Sequence, residues 1–168
     1  MTFTPDEIDS KILDVLQREG RISMLELADR VGLSATPCAR RVREMEGNGL
    51  IRGYAALLSA DAVGLRTQAV VRVRIRRSRE CADEFEKFVL KMPEVLRCLT
   101  VTGPYDYLLY IAAPDMESLG DWIRQKLVPS PGILQTETSV VIRQVKGGVA
   151  LPAASAASSN WHHRQRRY

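Results

Sequence analysis

Residues 24–46 place two helical patterns end to end with only a short break, "VGLS", at 31–34 between them. Gly32 permits a tight turn there, Leu33 can plug a core, and Ser34 is a suitable N-cap for the helix that follows. So short a turn between two helices on a shared core matches helix-turn-helix architecture. An earlier helical pattern over 6–19 supplies that core through Ile8, Ile12, Leu13, Val15 and Leu16. Thr4 is its expected N-cap, with Pro5 in the first turn and Gly20 beyond the end. In the middle helix, Ser23 and Glu26 have capping-box spacing, and Leu25, Leu27, Ala28 and Val31 form its apolar set.

The last of the three helices, about 35–46, carries the chemistry. Cys38, Val42 and Met45 recur at four and three residues and dock one face. The rest of the surface carries Ser34, Thr36, Arg40, Arg41 and Arg43, with no acidic residue between Ser34 and Arg43. A guanidinium fork suits phosphate or guanine O6/N7, and a helix in the major groove needs this division of faces. The alternative is a solvated basic face neutralised by Glu44 and Glu46. Total charge does not decide between them, because residues 1–53 sum to −1, 54–146 to +2 and 147–168 to +3. The case rests on the local cluster and its helix-turn-helix setting.

Past "GNG" at 47–49 the pattern changes. "LIRGYAALL" (50–58) reads as a strand kinked at Gly53, and "SADAVGL" as a loop. "AVVRVRIRR" then alternates Val71, Val73 and Ile75 with Arg72, Arg74 and Arg76, a strand with one wet face. An amphipathic helix over 80–92, strands at 94–102 and 105–113 joined by "TGPYD", a helix over 115–127 and a final strand from Gly132 follow. The order β-α-β-β-α-β predicts a ferredoxin-like sheet covered by helices, and the chain as a whole reads as α+β. The expected divisions are 5–53 for the helix-turn-helix domain, 54–66 for a strand and linker, 67–146 for the ferredoxin-like domain, and 147–168 for a disordered basic tail.

Other classes find little support. No apolar run approaches the ~20 residues of a membrane-spanning helix, and the acidic start does not have a signal-peptide layout, so the expected compartment is the cytoplasm. Three scattered cysteines and the adjacent His162 and His163 do not offer a zinc set; no metal and no cofactor is expected. No nucleophile–base pair or phosphate loop suggests an enzyme. The "RVRIRR" strand and the terminal "HHRQRR" read either as solvated surface or as additional attraction for phosphate.

Two segments in this order, "GLSATPCARR" and "TGPYDYLL", resemble the Lrp/AsnC family of transcriptional regulators over roughly residues 6–146. The resemblance implies winged helix-turn-helix heads on double-stranded DNA and a dimer built on the second unit, often assembled into tetramers or octamers at the nucleoid. It also implies a free amino acid as effector. Carried over, the DNA-reading segment is Met24 to Arg43, with Ser34, Thr36, Arg40, Arg41 and Arg43 facing DNA. The effector positions are Gly103, Tyr105, Asp106, Thr136 and Thr138. Chemically, a glycine turn exposes N–H groups for the ligand carboxylate, and Asp106 can pair with its ammonium or simply cap the turn. Members of that family usually carry an acidic residue after the glycine where this chain has Pro104, which removes one N–H and the charge such a residue would bring. The implied function is DNA-binding regulation tuned by an amino acid; the alternative is a low-specificity DNA-wrapping protein without an effector.

Overall fold

The computed structural model describes residues 4–147 and 151. They form two compact units, one from the residues up to Ala56 with the described residues after Val145, the other from Leu57–Val145.

The first unit contains α1 (Glu7–Arg18), α2 (Met24–Val31) and α3 (Ala35–Gly47). Its core is Ile12, Leu27, Ala28, Cys38, Val42 and Met45, so one apolar stripe from each helix is used. The start of α1 differs from expectation: Asp6, not Thr4, is the N-cap. Asp6 and Asp9 form a reciprocal capping box, which leaves Thr4 two residues too early. The Ser23–Glu26 box is present as expected. Gly32 takes φ +72°, a left-handed conformation that suits glycine, and Leu33 N–H closes the turn on Ala28 O at 2.9 Å. Leu25 is 72% exposed, because it lies about 200° around the helix from Leu27.

The strand expected at 50–58 is not formed. Leu50 and Ile51 N–H groups turn back to Met45 O instead, and Tyr54, Leu57 and Leu58 are exposed. A strand needs a neighbour for its ladder, and among the described residues this segment has none. Tyr54 Oη donates to Glu46 Oε1 at 2.9 Å. Partial burial, helped by that bond, pushes the Tyr54 phenol up to about 12. A raised phenol contributes stability that is complete below its ordinary value near 10 and is lost as pH rises through about 12. The phenolate absorbance lost in Tyr54→Phe should therefore develop near pH 12, and Glu46→Gln should bring it lower.

The second unit has β1 (Thr67–Ile75), α4 (Arg79–Val89), β2 (Val95–Thr100), β3 (Tyr107–Ala113), α5 (Met116–Trp122) and β4 (Ile133–Val140). One π turn, Ile123–Leu127, extends α5. The sheet order is β2-β3-β1-β4 with all neighbours antiparallel, the arrangement the β-α-β-β-α-β order predicts. Val71 and Val73 meet Phe85, Val89, Leu119 and Trp122 in one core, so both helices cover one face of the sheet. Val70, Arg72 and Arg74 alternate onto the other face, with Tyr110 and Leu108 opposite the first two. Ser78 and Asp115 cap α4 and α5 through Cys81 N–H and Ser118 N–H.

Gly132 enters β4 with φ +78°, and a Cβ there would lie 3.0 Å from Cys81 Cβ. Gly132→Ala should destabilise the unit by about 1–2 kcal/mol from the left-handed backbone, plus the contact. Gly64→Ala, at φ +83° in open space, should cost the backbone part alone in the same denaturation experiment.

Candidate nucleic-acid interface and effector site

On α3 the structure separates three arginines that look alike in sequence. Thr36, Arg40 and Arg43 lie exposed along the outside, opposite Cys38, Val42 and Met45. Arg40 has one ionic partner among the described residues, Glu44 at 3.8 Å, with both side chains at least half exposed. Such a surface pair on one helix is worth only ~0.3–0.5 kcal/mol, so Arg40 is free to exchange it for a phosphate or base. Arg43 uses Nε to donate to Ala39 O at 3.2 Å, which leaves its terminal nitrogens for other acceptors. Ser34 stands at the N-cap position, but its hydroxyl makes no cap bond. The expected side-chain cap is absent, and an exposed hydroxyl remains beside the helix N-terminus.

Arg41 is placed differently from Arg40 and Arg43. It was expected on the DNA-facing side; it points instead to the start of α1, with its side chain only 24% exposed. Its Nη1 donates to Asp6 Oδ2 at 2.7 Å and to Asp9 Oδ1 at 2.8 Å. The Asp9 N–H first, and then Arg41, hold the Asp6 carboxyl below its ordinary value. The three arginines of α3 are thus an outer pair and one inward tie.

The five expected effector positions do not converge within one chain. Gly103, at φ +119°, makes the turn between β2 and β3. Tyr105 Oη donates to Glu137 Oε2 at 2.6 Å, and Arg72 Nη1 donates to Glu137 Oε1 at 2.6 Å. These three, with Thr102, Pro104 and Leu108, line a hollow of about 320 Å³. The Glu137 bond raises the Tyr105 phenol above its ordinary value and keeps it a donor. Asp106 lies elsewhere, in a hollow of about 370 Å³ with Arg76, Arg77, Ser78 and Arg79. Its Oδ2 accepts Ile75 N–H at 2.9 Å where the β1–β4 register shifts, so one oxygen is already committed. Thr136 and Thr138 sit opposite Val73 and Val71, on the helix-covered face and away from Glu137. Both hollows are near the lower end of the roughly 300–1,000 Å³ typical of small-molecule pockets. Arg72 and Glu137 were not anticipated as part of this site; their cross-strand pairing depends on a register that one strand does not reveal.

The tail with "HHRQRR" lies outside the described residues, except that the Leu151 backbone bonds both ways to the Gln17 side-chain amide. The three cysteines are free, with Cys38 buried and Cys81 and Cys98 half-buried. Among the described residues no helix is long and apolar enough to cross a membrane, and no group of three or more metal-ligating side chains occurs.

Two family profiles match this architecture: "Winged helix-turn-helix DNA-binding" over residues 5–52, and "Lrp/AsnC ligand binding domain" over residues 68–151. The chain belongs to the Lrp/AsnC family. The leucine-responsive regulatory proteins of Escherichia coli K12 and Salmonella typhimurium are 44% identical to it over 144 residues, covering 84% of this chain and 87% of theirs. A Neisseria meningitidis transcriptional regulator, solved as a complex with L-Met, has a TM-score of 0.88 at 40% identity, covering 91% of this chain and 99% of that one. An AsnC family regulator of Agrobacterium tumefaciens has a TM-score of 0.83 at 32% identity, covering 88% and 97%. This Lrp/AsnC member is accordingly a transcriptional regulator, with a winged helix-turn-helix unit for DNA and an α+β ligand-binding unit.

Proposed function

We propose that this Lrp/AsnC regulator reads double-stranded DNA with Thr36, Arg40 and Arg43, helped by Ser34, while a free amino acid bound beside residues 103–106 tunes that affinity. The observation that carries the reading is the outward pair Arg40 and Arg43, weakly partnered on a helix docked by Cys38, Val42 and Met45. The working divisions are a DNA head over 5–53, a linker over 54–66 and a sensing domain over 67–146. The regulator acts at the nucleoid in the cytoplasm and catalyses no reaction.

The effector completes its site between copies of the chain. Separation of Tyr105 from Asp106 into two hollows, and of Thr136 and Thr138 onto the other sheet face, supports a site that one chain leaves incomplete. The L-Met complex of the Neisseria relative makes methionine the first amino acid to try. A ligand that favours one assembly, dimer or tetramer or octamer, changes the spacing of the heads and hence operator affinity. Mobility-shift titrations on DNA selected from a random pool, with and without each amino acid, test this. A shift in Kd or in stoichiometry with one amino acid is expected. Selective DNA binding that no amino acid alters would leave regulation without this effector. Binding with no sequence preference would instead favour the DNA-wrapping alternative, which Pro104 beside the turn supports.

A further inference from the structure

We propose that Arg41 is a positioning residue of the reading helix: clamped between Asp6 and Asp9, it sets how α3 presents Thr36, Arg40 and Arg43, and touches no DNA. This rests on α3 being the DNA reader. Four hydrogen bonds close the network. Asp6 Oδ1 accepts Asp9 N–H at 2.8 Å, and Asp9 Oδ2 accepts Asp6 N–H at 3.1 Å. The two remaining carboxylate oxygens accept Arg41 Nη1 at 2.7 and 2.8 Å. Every oxygen of both side chains is therefore used, and the cap of α1 and the anchor of α3 are one structure.

This polar tie does something the apolar contact does not. The docked face of α3 offers Cys38, Val42 and Met45, and methionine is a flexible filler that accommodates several orientations. A helix held only there can roll about its axis, moving Arg40 and Arg43 together across the groove. Charge-assisted bonds from a planar guanidinium to two carboxylates on a capped helix end fix that roll. The Asp9 side chain is only 6% exposed, so the clamp faces inward rather than towards a nucleic acid. Releasing Arg41 to a phosphate would leave the nearly buried Asp9 carboxylate without its cation, a costly exchange.

The competing role, a phosphate contact, makes the opposite forecast for two of three variants. Arg41→Gln removes a positive charge from the head, whereas Asp9→Asn and Asp6→Asn each remove a negative one. If Arg41 grips phosphate, the first weakens DNA binding and the other two leave it unchanged or strengthen it. If Arg41 positions the helix, all three weaken specific binding. The test uses the full chain, DNA selected by the unaltered protein, and random DNA as reference, with Kd followed across salt at a temperature where circular dichroism shows each variant folded. Asp6→Asn guards against loss of folding, since asparagine is itself a good N-cap.

The expected result is a fall of about tenfold or more in the selected-to-random affinity ratio for all three variants, the scale of one lost base contact. The salt slope should not change. A slope lower by about one in Arg41→Gln, with Asp9→Asn and Asp6→Asn binding as well as or better than the original, would show a phosphate contact and overturn the proposal. A lowered unfolding midpoint with an unchanged affinity ratio would reduce Arg41 to a purely structural tie and overturn it as well. Arg40→Ala, Arg43→Ala and their double variant in parallel separate the premise from the inference: if none of them affects DNA binding, the assignment of α3 as reader has failed, not the clamp alone.

Discussion

Arg40→Ala is expected to weaken binding to selected DNA by ~1–3 kcal/mol if its guanidinium forks onto a base edge, with the loss confined to sequences carrying that base. Arg43→Ala is expected to behave alike, and a double variant to lose roughly the sum, since the two side chains share no hydrogen-bond partner. The physical reason is that neither side chain has much to give up on binding. Arg40 releases only a 3.8 Å surface pair with Glu44, and Arg43 keeps its Nε bond to Ala39 O while its terminal nitrogens reach outward. A phosphate contact has a different signature: selected and random DNA weaken equally, and the salt slope drops by about one for each arginine removed. Quantitative mobility shifts at several salt concentrations distinguish the two. Wild-type affinity in both single variants and in the double would sink the assignment of this helix face.

The α+β class, the strand order and the helix-turn-helix were legible because each rests on local periodicity and turn chemistry. Gly32, the Ser23–Glu26 box, and the alternation of Val71 and Val73 with Arg72 and Arg74 all signal within a few residues. The features that local pattern does not carry have an equally physical origin. Arg41 matches its neighbours in residue type, but at 3.6 residues per turn it lies only about 40° from Met45, whereas Arg40 lies about 140° away. That angle, combined with aspartates at the N-cap and in the first turn of α1, is the signal in the sequence for an inward tie. No comparable signal existed for segment 50–58, whose strand-like pattern has no ladder partner among the described residues. The effector positions were harder still. Alternation along β4 alone puts Thr136 and Thr138 on the opposite side from Glu137, but which side the helices cover is fixed only by registering β4 against β1, and that register joins residues more than sixty positions apart.

Asp106 carries the second large prediction, because two roles converge on one carboxylate. Its Oδ2 holds Ile75 N–H at the irregularity where β1 shifts register against β4, so Asp106→Ala leaves a partly buried donor unpaired. The expected cost is about 1.5–3 kcal/mol in chemical denaturation, the range for a bond to a charged acceptor. The same variant should lose amino-acid binding in calorimetric titration, but that loss alone is ambiguous: a distorted turn would produce it too. Asp106→Asn resolves the ambiguity. Its amide oxygen can still accept Ile75 N–H, so stability should return to within about 1 kcal/mol of the original, while the negative charge offered to a ligand ammonium is gone. An affinity for L-methionine, or for whichever amino acid binds, that falls about tenfold or more in this folded variant assigns the carboxylate to the ligand. Affinity equal to that of the original would confine Asp106 to the strand bond, and Glu137, held between Tyr105 and Arg72, would become the acidic group to replace next.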